Sequence, residues 1–187
     1  MAGLLEPQTE RKGDAGFCVE GYATTFDTPY VLYEIDGVQY FEKIARGALD
    51  GADVSDVIMQ YDHMGKVMAR LSNGTLSLEA DAHGLKICAD LSKSAAAKDL
   101  YEEIRNGLIT KMSWAFTIAE ESYDRQTHTR TIEKIKKVYD VSAVSIPANG
   151  DTDIAARAWV DGVIDAERRE ALARKRQKIK LLLEVEV

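Results

Sequence analysis

The amino-acid sequence predicts a mainly β domain with helices, of the α+β class: about seven or eight strands closed, or nearly closed, into a barrel with helices around it. Three observations lead there. Short β-prone runs recur between residues 16 and 146, with turn signals roughly every ten residues. Within that range only "SKSAAAKDLYEEIRNG" has the composition and punctuation of a helix. A charged helical segment, residues 159–187, follows the last strand.

Residues 1–15 are polar, and a flexible N-terminus is expected there. The domain proper is expected over residues 16–158. "GFCVEGYATTF" alternates as a strand, with Phe17, Val19, Gly21 and Ala23 on one side. After a turn at Asp27, Thr28 and Pro29, "VLYEIDGVQYFEKI" forms a hairpin around Asp36-Gly37, a dipeptide favoured in tight turns. "ARGALDGADVSD" is a short helix or loop broken by two glycines. "DVIMQYDHMGKVMARLS" contains an apolar strand that ends at Asp62-His63. "GTLSLEADAHGLKICADLS" is the clearest hairpin, alternating through Leu76, Leu78 and Ala80 and then Leu85, Ile87 and Ala89. Ser94 is placed to cap the helix and Gly107 to end it, with Leu100, Ile104 and Leu108 as its apolar stripe. A long hairpin with its turn near "RQTHTR" completes the body. In the final segment Val160, Val163, Ile164, Leu172, Ile179 and Leu183 make only a broken apolar stripe.

A chain of 187 residues, 45% apolar and 29% charged, is long enough to bury one substantial core. No apolar run approaches the length of a membrane span, and "MAGLLEPQTERKGD" lacks the basic start and apolar core of a secretory signal. A cytoplasmic protein without membrane partners is expected. The 24 Lys and Arg against 31 Asp and Glu leave a net charge of −7. Residues 159–187 carry seven basic and six acidic side chains, so the acidic excess lies in the body. That balance argues against nucleic acid as a partner. Cys18 and Cys88 sit in apolar alternating runs and are expected to be buried thiols rather than a disulfide. The histidines and cysteines lack zinc-ligand spacing, and no metal or other cofactor is expected.

Three residues attract a chemical reading. Ser113 lies inside the apolar run "KMSWAF", His63 ends the strand "VIMQYDH", and Asp140 interrupts the core-like run "VYDVSAVSIPA". A serine becomes a nucleophile when a histidine removes its proton, and the histidine works best when a third group orients it. Each residue also has a plainer reading. Ser113 alone reads as a strand hydroxyl bonded to backbone, His63 as a core or surface histidine, and Asp140 as an edge-strand acid. His83 and His128 read as exposed turn residues. Met112, Trp114 and Phe116 read as core packing.

The ordered set "YDHMG", "GLITKMSWAF" and "YDVSAVSIPAN" resembles the caudovirus prohead serine protease family, the capsid-maturation proteases of tailed phages. "GYATTFDTPY" is similar to that family's first strand and turn, and "FEKIARGALD" to its acidic strand and "GAF" segment. "DAHGLKICADL" with the helix to Gly107 is similar to its central hairpin and helix. The resemblance covers roughly residues 16–158 and places the catalytic histidine on His63, the nucleophile on Ser113 and the third member on Asp140. The family often carries glutamate at that third position. The shorter aspartate leaves Asp62 and Glu42 open as substitutes.

The family is related to the herpesvirus assemblins, whose third member is a histidine, and the implied fold is an assemblin-like β-barrel of about seven strands surrounded by helices. The resemblance further implies peptide hydrolysis through an acyl-enzyme, inside the immature capsid in the host cytoplasm. The expected substrates are the major capsid protein, scaffold, and the chain itself, with portal protein as a further partner and a homodimer by analogy with the assemblins. Backbone donors for the oxyanion are expected near Ala148, Asn149 and Gly150. Residues 159–187 suit a detachable or coat-interacting segment, or an ordinary surface helix. A non-catalytic capsid assembly module of the same fold is the alternative function, and an unrelated β-barrel binding domain is a second. Chemically competent residues at all three positions favour the enzyme.

Overall fold

A computed structural model of the chain describes residues 5–7, 16–146 and 154–185. The chain divides into two compact units, Met1–Asn149 and Gly150–Val187. The second contains one long helix, α2 (Ile154–Val185).

The first unit is mainly β with one helix. Its strands are β1 (Leu5–Pro7), β2 (Cys18–Thr25), β3 (Tyr30–Ile35), β4 (Val38–Ile44) and β5 (Ile58–Tyr61), followed by β6 (Met64–Arg70), β7 (Leu76–Ala80) and β8 (Gly84–Asp90). Helix α1 (Ala95–Arg105) leads into β9 (Lys111–Asp124) and β10 (Thr129–Val144). One sheet has the order β1-β2-β8-β7. The other runs β3-β4-β10-β5-β6, with β9 also paired to β10.

Strand β10 organises the larger sheet. Along one edge it pairs antiparallel with β9 from Thr129 to Val144. Its other edge is shared: β4 pairs in parallel with Thr129–Ile132, and β5 in parallel with Asp140 and Ala143. These pairings account for the departure from the expected barrel. Among the described residues the sheets stay open, joined through the single bridge Phe26–Ile44. A barrel requires the two outer strands of one sheet to pair with each other, and here β3 and β6 end the larger sheet without doing so. The described residues form ten strands rather than the expected seven or eight, because Leu5–Pro7 and Met64–Arg70 add to the expected runs. Strand spacing does not show that one long strand will take three partners.

Both sheets and α1 bury their apolar faces in one core that includes Val19, Ile44, Met59, Leu76, Ile87, Leu100, Met112 and Val138. Turn chemistry behaves as expected at Asp36 and Gly37, whose φ values of 52° and 77° make the tight β3–β4 turn. Ser94 caps α1 by accepting the Ala97 N–H at 3.1 Å. At the other end Asn106 is the cap and Gly107 turns the chain with φ 74°. That turn corrects the expected stripe. Leu108 lies beyond it and is 74% exposed, and Ala97 and Tyr101 join Leu100 and Ile104 on the buried face. Leu5–Pro7 pairs with β2, while residues 1–4 and 8–15 lie outside the described residues.

Candidate active site

The run "VIMQYDHMGKVMAR" is two strands rather than one, and His63 sits in the turn between them. Tyr61 pairs with Met64, so Asp62 and His63 form a two-residue loop, and both have positive φ, 48° and 57°. This is the backbone of a type I′ hairpin turn, usually made by Asn-Gly or Asp-Gly. Asp and His both tolerate the left-handed region better than most residues. The turn is anchored to the end of β10. The Asp62 N–H donates to Ala143 O at 2.9 Å, and Asp62 Oδ1 accepts the Ser145 N–H at 2.8 Å. The Ser145 hydroxyl donates to Asp62 Oδ2 at 2.9 Å.

Asp140 lies on β10 beside this turn. Between Val138 and Asp140 the β9–β10 ladder carries a bulge, with Val138 opposite Phe116 and Asp140 opposite Ala115. The extra residue, Tyr139, shifts the alternation. Val138, Val141 and Ala143 therefore share one face with Met112, Trp114 and Phe116, while Asp140 and Ser142 take the other face with Ser113. The first group packs as expected: Met112 is buried in the core, and Trp114 and Phe116 are packed against it. Ser113 is directly opposite Ser142, two pairs further along than Asp140.

His63 Nδ1 is 2.6 Å from Asp140 Oδ1. Asp140 is nearly buried and His63 is about one-third exposed, so the pair is screened from water on the carboxylate side. With Nδ1 donating to the carboxylate, Nε2 is left as the free base. The Asp140 hydrogen bond raises the His63 pKa above its ordinary value of 6.5; partial burial opposes the rise, and the charges of Asp140 and Asp62 add to it.

Of the carboxylates left open as partners of His63, Asp140 makes the contact. Asp62 is engaged with Ser145, and Glu42 accepts hydrogen bonds from Tyr30 and from Arg130. The Ser113 hydroxyl makes no hydrogen bond to His63 or to any other described residue. Ser113 itself is only 9% exposed. Ala148, Asn149 and Gly150 lie outside the described residues.

The other histidines are used elsewhere. The His83 ring meets Tyr22 edge-on with centroids 4.6 Å apart, and His128 Nδ1 lies 3.0 Å from the Tyr123 hydroxyl. Cys18 and Cys88 are not joined in a disulfide, and both are half-buried. Two residues of the cluster, Ser142 and Ser145, carry no sequence expectation. The period of two in "YDVSAVS" is the signal for Ser142, because it puts that residue on the face of Asp140.

The family model described as caudovirus prohead serine protease matches residues 5–185. The chain is similar to the prohead protease of Enterobacteria phage HK97, 31% identical over 88 residues that cover 46% of this chain and 39% of that protein. No solved structure matches it.

Proposed function

The chain belongs to the caudovirus prohead serine protease family, and on that premise we propose that it is a capsid-maturation endopeptidase with Ser113, His63 and Asp140 as its catalytic residues. The observation that carries the proposal is the 2.6 Å contact between His63 and Asp140, made on the strand face that also bears Ser113. An imidazole oriented by a buried carboxylate, with a serine on the same strand face, suits acyl transfer.

In this reading His63 Nε2 takes the proton of Ser113 as the hydroxyl attacks the scissile carbonyl. Asp140 steadies the imidazolium, which then protonates the leaving amine. Water attacks the acyl-enzyme with His63 again as base, releasing the acid and restoring Ser113. Substrate draws Ser113 and His63 into hydrogen-bond contact, since such bonds are often loose in the free enzyme. The backbone of Ala148–Gly150 supplies the oxyanion donors, each worth roughly 3–4 kcal/mol where single donors have been removed in other enzymes.

The substrates are the capsid protein or scaffold of the same phage, inside the immature capsid, and the chain itself. Portal protein and a second copy of the chain are its further partners. The helix α2 suits a segment removed or bound by coat protein, since residues 168–178 are exposed throughout.

Co-expression with the phage's own capsid protein tests this. The parent chain should shorten the capsid protein, and Ser113→Ala should leave it full length. Processing that continues with Ser113→Ala would remove Ser113 from the mechanism. Capsid assembly without processing by either chain would favour the non-catalytic assembly module.

A further inference from the structure

Ser142 has no part in the mechanism above, yet it is completely buried against the site. Its hydroxyl donates to Asp140 Oδ1 at 2.6 Å, the same oxygen that lies 2.6 Å from His63 Nδ1. It is also the residue directly opposite Ser113 in the β9–β10 register.

A buried strand hydroxyl has to donate somewhere, and a backbone carbonyl is the common acceptor. Ser142 instead donates to a carboxylate that a histidine already uses. The last torsion of an aspartate is broad, so one hydrogen bond to His63 leaves the plane of the carboxylate weakly defined. A second donor, fixed on the same strand two residues away, defines it. The charge on Asp140 makes that bond stronger than one between neutral groups.

We propose that Ser142 is a positioning residue of the site: it holds Asp140 Oδ1 against His63 Nδ1, and so sets the orientation and basicity of the imidazole. It acts through Asp140 and does not touch substrate. Being buried and committed to Asp140, Ser142 is also unsuited to replace Ser113 as nucleophile. The inference rests on the protease reading for its catalytic consequence, but the coupling of Ser142, Asp140 and His63 can be measured without catalysis.

The test uses the full chain in two settings. In the Ser113→Ala background, which prevents self-processing, the His63 ring is titrated by NMR with and without Ser142→Ala. Loss of Ser142 should lower the His63 pKa toward its ordinary value. In the active chain, S142A should reduce kcat by about tenfold, the scale on which outer partners of oriented histidines act. KM should be unchanged, the acid limb of the pH profile should move to lower pH, and the hydroxyl-retaining Ser142→Thr should restore most of kcat. The proposal is overturned if S142A leaves the His63 pKa unchanged or raises it. It is equally overturned if kcat is unaffected, or if S142T, folded with the same unfolding midpoint, loses as much as S142A. A parent chain without Ser113-dependent cleavage would defeat the protease reading, and the NMR titration would still decide the role of Ser142.

Discussion

Ser113 and Ser142 face each other across β9 and β10, and their hydroxyls serve different ends. Ser142 is sealed from solvent and donates to Asp140. No hydrogen bond joins the Ser113 hydroxyl to another described residue, and Ser113 is 9% exposed. A nucleophile needs an uncommitted hydroxyl, and that of Ser142 is given to Asp140. In the proposed mechanism Ser113 is the nucleophile and Ser142 the support, at facing positions of one sheet.

Asp140→Asn should preserve the packing of β10 while presenting an amide to His63 Nδ1. The imidazole would then favour the tautomer with its proton on Nε2, where it cannot serve as base. Cleavage of the capsid protein should fall by a factor on the order of 10⁴, as for the equivalent change in a well-studied triad. Asp62→Asn, at the other nearby carboxylate, should leave most activity intact. The reverse ranking in a quantitative cleavage assay would exchange their roles.

The His63 pKa gives the pH dependence its sign. In the proposed mechanism His63 must be neutral to accept the Ser113 proton, and its pKa is raised above 6.5 by Asp140. Activity should therefore climb with pH through a midpoint above that value. The stability contributed by the pair runs the opposite way: it is complete below the unfolded pKa and is lost as pH rises through the folded one. In profiles of kcat/KM and of unfolding midpoint against pH, Asp140→Asn should shift the first to lower pH and flatten the second in the same window.

Asp62 holds the turn that carries His63. Asp62→Ala removes the acceptor for the Ser145 N–H and hydroxyl and puts alanine at φ 48°. Chemical denaturation should show a loss of roughly 1–2 kcal/mol, with a drop in activity because the His63 ring is less well placed. Asp62→Asn keeps an acceptor and tolerates the left-handed backbone, so it should stay close to the parent in stability.

Gly84 is required by contact rather than by backbone angle. A Cβ there would lie 2.0 Å from the carbonyl oxygen of Thr24, where β2 and β8 meet. Gly84→Ala should force the strands apart and cost roughly 1–3 kcal/mol, read from the denaturation midpoint. Gly16→Ala has nothing within 4 Å of its new methyl and serves as the comparison, with little change expected.

Features settled within a few residues were legible in the sequence. The Asp36-Gly37 turn, the Ser94 cap, the Gly107 exit and the alternation of β2, β7 and β8 follow from local backbone preferences. The β5–β6 hairpin escapes such a reading because Asp62-His63 is an uncommon pair for its turn type. Leu108 escapes it because helical spacing continues past the point where Gly107 turns the chain.

By itself, the sequence determined the α+β class, most of the strands and α1, and the family, whose resemblance led to the proposal of His63, Ser113 and Asp140. Tertiary structure alone decided which edges meet. Residues 63 and 140 are 77 positions apart, and the Phe26–Ile44 bridge and the parallel pairs of β10 join similarly remote segments. It therefore also decided that the sheets remain open, that Asp140 rather than Asp62 or Glu42 reaches His63, and that Ser142 stands behind that contact. The physical reason is range. A turn or cap is governed by torsions and hydrogen bonds among near neighbours, whereas strand partnership follows from how the whole apolar set packs into one core.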